Sequence, residues 1–123
     1  MKNIILASIF FFCLSVFADE RVVLQESEFR AQWKETPTMA TLMATKTPSG
    51  EMIWKTKTKI TAKAKFVITP EGKAKNIEIL STTPDKPGYK EAFKKYYENV
   101  TFTAKVKTPK APATVFDSTF FGQ

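Results

Sequence analysis

The sequence predicts an α+β domain, an antiparallel sheet of about three strands with helices packed on one face, and three observations carry that reading. Apolar and polar residues alternate from Trp54 to Ile68; a Thr69-Pro70-Glu71-Gly72 turn leads into a second alternating run; and between Gly88 and Asn99 the period lengthens to that of a helix. A hairpin followed by a helix and a last β-rich segment buries its apolar faces by laying helix on sheet.

The chain has 123 residues, 43% hydrophobic and 25% charged, which suits one small domain. Met1-Lys2-Asn3 precedes a nearly continuous apolar run from Ile4 to Phe17, and Val16-Phe17-Ala18 stands before Asp19. This is the pattern of a secretory signal peptide cleaved after Ala18. A membrane span needs about 17–25 apolar residues, and this run is shorter and broken by Ser8, Cys13 and Ser15. Without residues 1–18 the chain has 105 residues; losing Lys2 lowers the charge from +7 to +6, and losing Cys13 removes the sole cysteine. An exported domain of that size must be held by its core. Seven of the 11 Phe remain for it, with both Trp and all three Tyr.

Residues 19–50 read as an N-terminal arm, Asp19 to Val23, and a short helical region. Ser27 is placed to cap a helix with Phe29 and Trp33 at i and i+4 and Glu28 in its first turn. Thr36-Pro37 ends that piece, and Met39, Leu42 and Met43 suggest a second helix with Pro37 at its first position. Thr47-Pro48-Ser49-Gly50 is a turn.

Residues 51–123 form the α+β domain proper. Trp54, Thr56, Thr58, Ile60, Ala62, Ala64, Phe66 and Ile68 point one way along a long strand, and Lys55, Lys57, Lys59, Thr61, Lys63, Lys65 and Val67 the other. Lys73 to Ser81 is the returning strand, with Ile77 and Ile79 inward. Tyr89, Ala92, Phe93, Tyr96 and Val100 make a helical stripe fit to lie on the hairpin. Lysines and prolines from Lys105 to Pro112 make a loop, and Ala113 to Phe121 is the last strand.

Composition excludes much chemistry. With no His, imidazole metal sites and Ser–His or Cys–His nucleophiles are ruled out. The sequence calls for no metal or cofactor and predicts no enzyme: Glu71 and Glu78 flank a turn as solvated charges, Ser81 ends a strand, and Gly72 serves the turn. Lys55, Lys57, Lys59, Lys63 and Lys65 form a basic strand face suited to polyanions, among them lipid A phosphates, teichoic-like polymers, acidic proteins and nucleic acid. Nucleic acid fits least, because beyond the leader only Arg21 and Arg30 offer the planar forks it favours and the chain is expected to be exported.

Phe66-x-Ile68-x-Pro70-x-Gly72 followed by Asn76-Ile77-x-Ile79-Leu80-Ser81 resembles the strand–turn–strand of the TonB C-terminal domain family of Gram-negative bacteria. Tyr89, Phe93, Tyr96 and Tyr97 sit where that family's helix keeps its aromatic face, and Val100-x-Phe102-x-Ala104 is similar to its ending, with Ala104 in place of proline. The resemblance implies a periplasmic, free TonB-like module, since the chain shows neither the membrane anchor nor the proline-rich spacer of a full transducer. It also implies recognition of an envelope protein, an outer-membrane receptor or a component of the TonB system, by strand addition at the last strand. There the candidate residues on one face are Thr114, Phe116, Ser118 and Phe120, and the same edge is open to a second copy of the chain. The alternative is a polyanion- or envelope-surface-binding protein that uses the lysine face.

Overall fold

The computed structural model describes residues 22–122, so the expected leader, Cys13 and Arg21 lie outside the described residues. Its elements run β1 (Val22–Leu24), α1 (Glu26–Gln32), β2 (Trp33–Thr36), α2 (Met39–Ala44), a 3-10 turn (Ile53–Lys55), β3 (Ile60–Ile68), β4 (Ala74–Thr83), α3 (Tyr89–Asn99), β5 (Thr101–Ala104) and β6 (Ala113–Phe121). The fold is mixed α and β. A four-stranded sheet has the order β1-β6-β3-β4, and β2 with β5 forms a separate two-stranded sheet. No helix among the described residues is long and apolar enough to cross a membrane.

The hairpin forms where the alternation places it. Ile60, Ala62, Ala64, Phe66 and Ile68 are buried on one side of β3, and the turn is closed by Gly72 N–H donating to the Thr69 carbonyl at 2.9 Å. Gly72 has a φ of +83°, and a Cβ there would collide with the Phe102 carbonyl, while the Phe102 N–H donates to the Gly72 carbonyl at 2.8 Å. One glycine thus joins the hairpin turn to β5. β4 carries two breaks of register against β3, between Lys63 and Ala64 and between Lys65 and Val67, and Asn76 sits at φ +53°. These bulges twist the outermost strand and blunt it as a template for pairing.

Two neighbouring clusters make the core. Leu24, Phe29, Trp33, Phe66, Tyr97 and Phe102 belong to one, and Ile53, Ile60, Tyr89 and Phe93 to the other. The helix α3 buries Tyr89, Ala92, Phe93, Tyr96 and Tyr97 against the inward face of the sheet. Among the described residues, the helices cover this face of the large sheet and the opposite face stays open.

Several expectations are corrected. The long strand begins at Ile60 and not at Trp54, because Trp54 and Lys55 lie in the 3-10 turn and the Thr56 hydroxyl donates to the carbonyls of Ile53 at 3.1 Å and Thr58 at 2.9 Å. A Thr–Lys repeat has the period of a strand, but its hydroxyls offer the backbone another partner. The segment read as an exposed arm supplies β1, which pairs in parallel with β6, Val22 beside Ala113 and Leu24 beside Val115. The first helix starts after Gln25 and not after Ser27, the Gln25 N–H donating to the Glu28 carboxylate at 3.0 Å, and Trp33 belongs to β2. Pro37 precedes the N-cap of α2 instead of entering the helix; Thr38 and Thr41 close the capping box, with Thr41 N–H donating to the Thr38 hydroxyl at 3.2 Å. The stretch after α3, which shows no strand period of its own, supplies β5, paired with β2 from Thr36–Thr101 to Trp33–Ala104. The last strand, read as an edge, lies inside the sheet between β1 and β3.

The dual role of Gly72 makes it sensitive to a single methyl group. Gly72→Ala is expected to lower stability by about 3 kcal/mol or more, from positive φ and the clash with Phe102 together. Urea denaturation of the two proteins checks this; a loss under about 1 kcal/mol would show that β5 moves aside freely.

Candidate functional site

The alternation of β6 sorts its side chains onto two faces. Ala113, Val115, Asp117 and Thr119 are buried inward, whereas Thr114, Phe116, Ser118 and Phe120 lie on the open face, Phe120 being 58% exposed. Register with β3 sets Phe116 beside Lys65, Ser118 beside Lys63 and Phe120 beside Thr61. The candidate residues of the last strand and part of the lysine face therefore share one surface. The Lys65 ammonium stands 5.8 Å from the Phe116 ring centre, and that of Lys59, the residue just before β3, 4.5 Å from the Phe120 ring centre.

Lys55 and Lys57 lie outside β3, Lys55 in the 3-10 turn with its amine 5.4 Å from the Trp54 ring centre. Of the expected ladder of five lysines, Lys63 and Lys65 stand on β3 and Lys59 just before it. Glu71 and Glu78 are both exposed, one in the hairpin turn and one on β4 opposite Lys65.

The outer edge of β6 is covered by one continuous N-terminal segment. β1 pairs with Ala113 to Val115 only. Beyond it α1 lies alongside: Arg30 Nη2 donates to the Ser118 carbonyl at 2.6 Å, and the Ser118 hydroxyl donates to the Glu26 carboxylate at 2.8 Å. Arg30 Nε also donates to Glu26 at 3.1 Å. Side chains thus take the place that a strand would occupy.

Behind this edge lies a polar cluster that the sequence reading missed. The Asp117 side chain is wholly buried; its Oδ2 accepts the Tyr97 hydroxyl at 3.1 Å, and its Oδ1 lies 3.3 Å from Arg30 Nη2. That second contact is an ion pair without hydrogen-bond geometry, and Oδ1 has no other partner. The Tyr97 hydroxyl also bonds to the Thr119 hydroxyl at 2.9 Å, and the Tyr96 hydroxyl donates to the half-buried Glu35 on β2. The signal was present in the sequence, because Asp117 falls on the inward parity between Val115 and Thr119.

Charge in this cluster is held under strain of solvation. Burial raises the pKa of Asp117 above the ordinary carboxylate range, against the pull of Arg30 and the Tyr97 hydroxyl. Burial first, then the charge of Asp117, push Glu35 up to about 7, with Arg30 opposing. Arg30 is held more firmly protonated: burial acts to lower its pKa, but Asp117, Glu26 and Glu35 outweigh it. A shallow cleft of about 190 Å³ opens onto Arg30, Glu35, Pro37, Thr119 and Phe120. Among the described residues no three His, Cys, Asp or Glu side chains gather as a metal site.

Glu35 gives the fold a pH dependence of definite sign. Between pH 4.5 and about 7 the folded protein keeps a proton that the unfolded chain releases, so this contribution to stability is complete below 4.5 and is lost as pH rises to about 7. Glu35→Gln retains an acceptor for Tyr96 and is expected to make the decline shallower and to be the more stable protein above pH 7. Melting temperatures across this range check it; an unchanged slope would remove Glu35 as the cause.

Comparison of the chain with protein-family models, with curated proteins and with solved structures gives no match.

Proposed function

We propose that this chain is a non-enzymatic recognition module of the periplasm, TonB-like in kind, which takes an extended segment of an envelope protein along the outer edge of β6. The observation that carries the reading is that, among the described residues, this edge holds a strand of three residues, Val22–Leu24, while Phe116 to Phe121 have no strand beside them on that side. The Arg30 bond to the Ser118 carbonyl supports it as well, since it marks a main-chain acceptor directed away from β3. An incoming parallel strand that displaces β1 regains its main-chain bonds and adds more further along β6. Each net hydrogen bond is worth about 1 kcal/mol, and the incoming strand has also to fill the core place of Leu24, which is 1% exposed.

The reading corrects the expectation of a free edge: recognition here is an exchange of strands. A second copy of the chain offering its own N-terminal strand is the homodimeric form of the same exchange.

Beyond residue 18 the sequence has no cysteine, so a single engineered pair can lock the exchange. Val23 and Thr114 are register partners, within the span a disulfide requires. Capture of envelope proteins by Val23→Cys/Thr114→Cys protein, on washing at high salt, is expected when the pair is reduced and to be lost when it is oxidised. Equal capture in both states, or no salt-stable partner in either, would refute strand exchange.

A further inference from the structure

The open face of the large sheet carries more apolar surface than a solvated face needs. Phe120 is 58% exposed, Val23 49% and Leu80 42%, and Phe116 is half-buried beside them. Leu80 reaches this face because the register of β4 breaks there: Ile79 faces Ala64 on the core side and Ser81 faces Lys63, leaving Leu80 as the bulged residue. A shallow cleft of about 190 Å³ runs between Leu80, Lys63, Phe116 and Ser118, with Gln25 and Glu26 at its end. Lys59, Lys63 and Lys65 stand among these side chains, with two amines over the Phe120 and Phe116 rings. The acids nearby are few: Glu26 is engaged by Arg30 and Ser118, and Glu78 lies opposite Lys65.

We propose that this face docks on an anionic lipid surface, Lys59, Lys63 and Lys65 meeting the headgroup phosphates while Phe116, Phe120 and Leu80 enter the interfacial layer. Charge complementarity selects an anionic partner, and the apolar tips select its kind. A soluble polyanion would pair with the amines and leave Phe120, Leu80 and Val23 in water. A lipid surface offers phosphate above and acyl chain below, and lysine stems span the two while their amines remain at headgroup level. This surface is the face of the sheet and not the edge of β6, so it stands or falls apart from strand exchange.

Protein of residues 19–123, without the apolar leader, carries every element of the described fold. Its co-sedimentation with vesicles of phosphatidylglycerol and phosphatidylcholine in equal parts is to be compared with pure phosphatidylcholine vesicles. Binding is expected to the anionic vesicles and to fall as salt rises. Lys63→Glu/Lys65→Glu is expected to weaken it at least about 25-fold, roughly fivefold for each lysine lost near the surface. Phe120→Ser, at an exposed position where folding is indifferent, is expected to weaken it about tenfold. Lys90→Glu/Lys94→Glu, exposed on α3 across the sheet, makes the same change in net charge and is expected to have little effect. Absence of vesicle binding, equal binding to neutral vesicles, or equal losses in the two lysine pairs would overturn the proposal. Retention of heparin binding without vesicle binding would overturn it in favour of a soluble polyanion.

Discussion

The ring of Phe66 is where the separate layers of this small protein meet. It projects from the middle of β3 and packs edge-on against Phe29 of α1 with ring centres 5.7 Å apart, stacks on Phe102 of β5 at 5.7 Å, and leans on Tyr97 of α3 at 5.1 Å. Phe29 and Phe102 close the triangle at 5.1 Å. Each such pair contributes about 1 kcal/mol beyond the area it buries. More important than the sum is the connectivity: one side chain of the large sheet meets α1, α3 and β5 at once. The inward parity of β3 follows from this placement, and with it the outward parity that sends Lys63 and Lys65 to the open face.

How much of this was legible in the sequence depended on the length and contrast of each pattern. The hairpin stood out because Ile60 to Ile68 alternates over nine residues and Gly72 marks its turn, and α3 because Tyr89, Ala92, Phe93 and Tyr96 keep a helical stripe. β1, β2 and β5 have three or four residues each, too short for periodicity to separate strand from loop. Trp54 to Lys59 erred the other way: its strand-like repeat is used in a 3-10 turn and a bend, where threonine hydroxyls bond to main-chain carbonyls. For the candidate site, the face residues of β6 and β3 were readable one strand at a time, but their adjacency is a property of register. The Arg30–Asp117 contact joins segments distant in sequence, and only the inward parity of Asp117 hinted at it.

A buried carboxylate in a strand is costly unless it is answered. Here the answer comes from Arg30, Tyr97 and, at one remove, Thr119, so α1, α3 and β6 are pinned to one another by polar contacts as well as by rings. The arrangement also fixes where α1 lies along β6, and so how much of the strand edge its side chains cover. Specificity of packing and the shape of the edge are set by the same few groups. Replacing them with apolar residues could preserve the core while removing the contact that positions α1.

The position of β1 has a consequence for how the chain acquires its structure. Glu26 and Ser118, in contact across the sheet edge, are 92 positions apart, so β1 and α1 meet β6 only across almost the full length of the fold. Contacts of such separation carry a large loop-closure cost and make folding slow. During synthesis with the N-terminus leading, Val22 to Leu24 are available long before the strand they pair with. Until Ala113 to Phe121 emerges, the first-made segment has no sheet to join, and completion of the fold waits on the last residues to arrive.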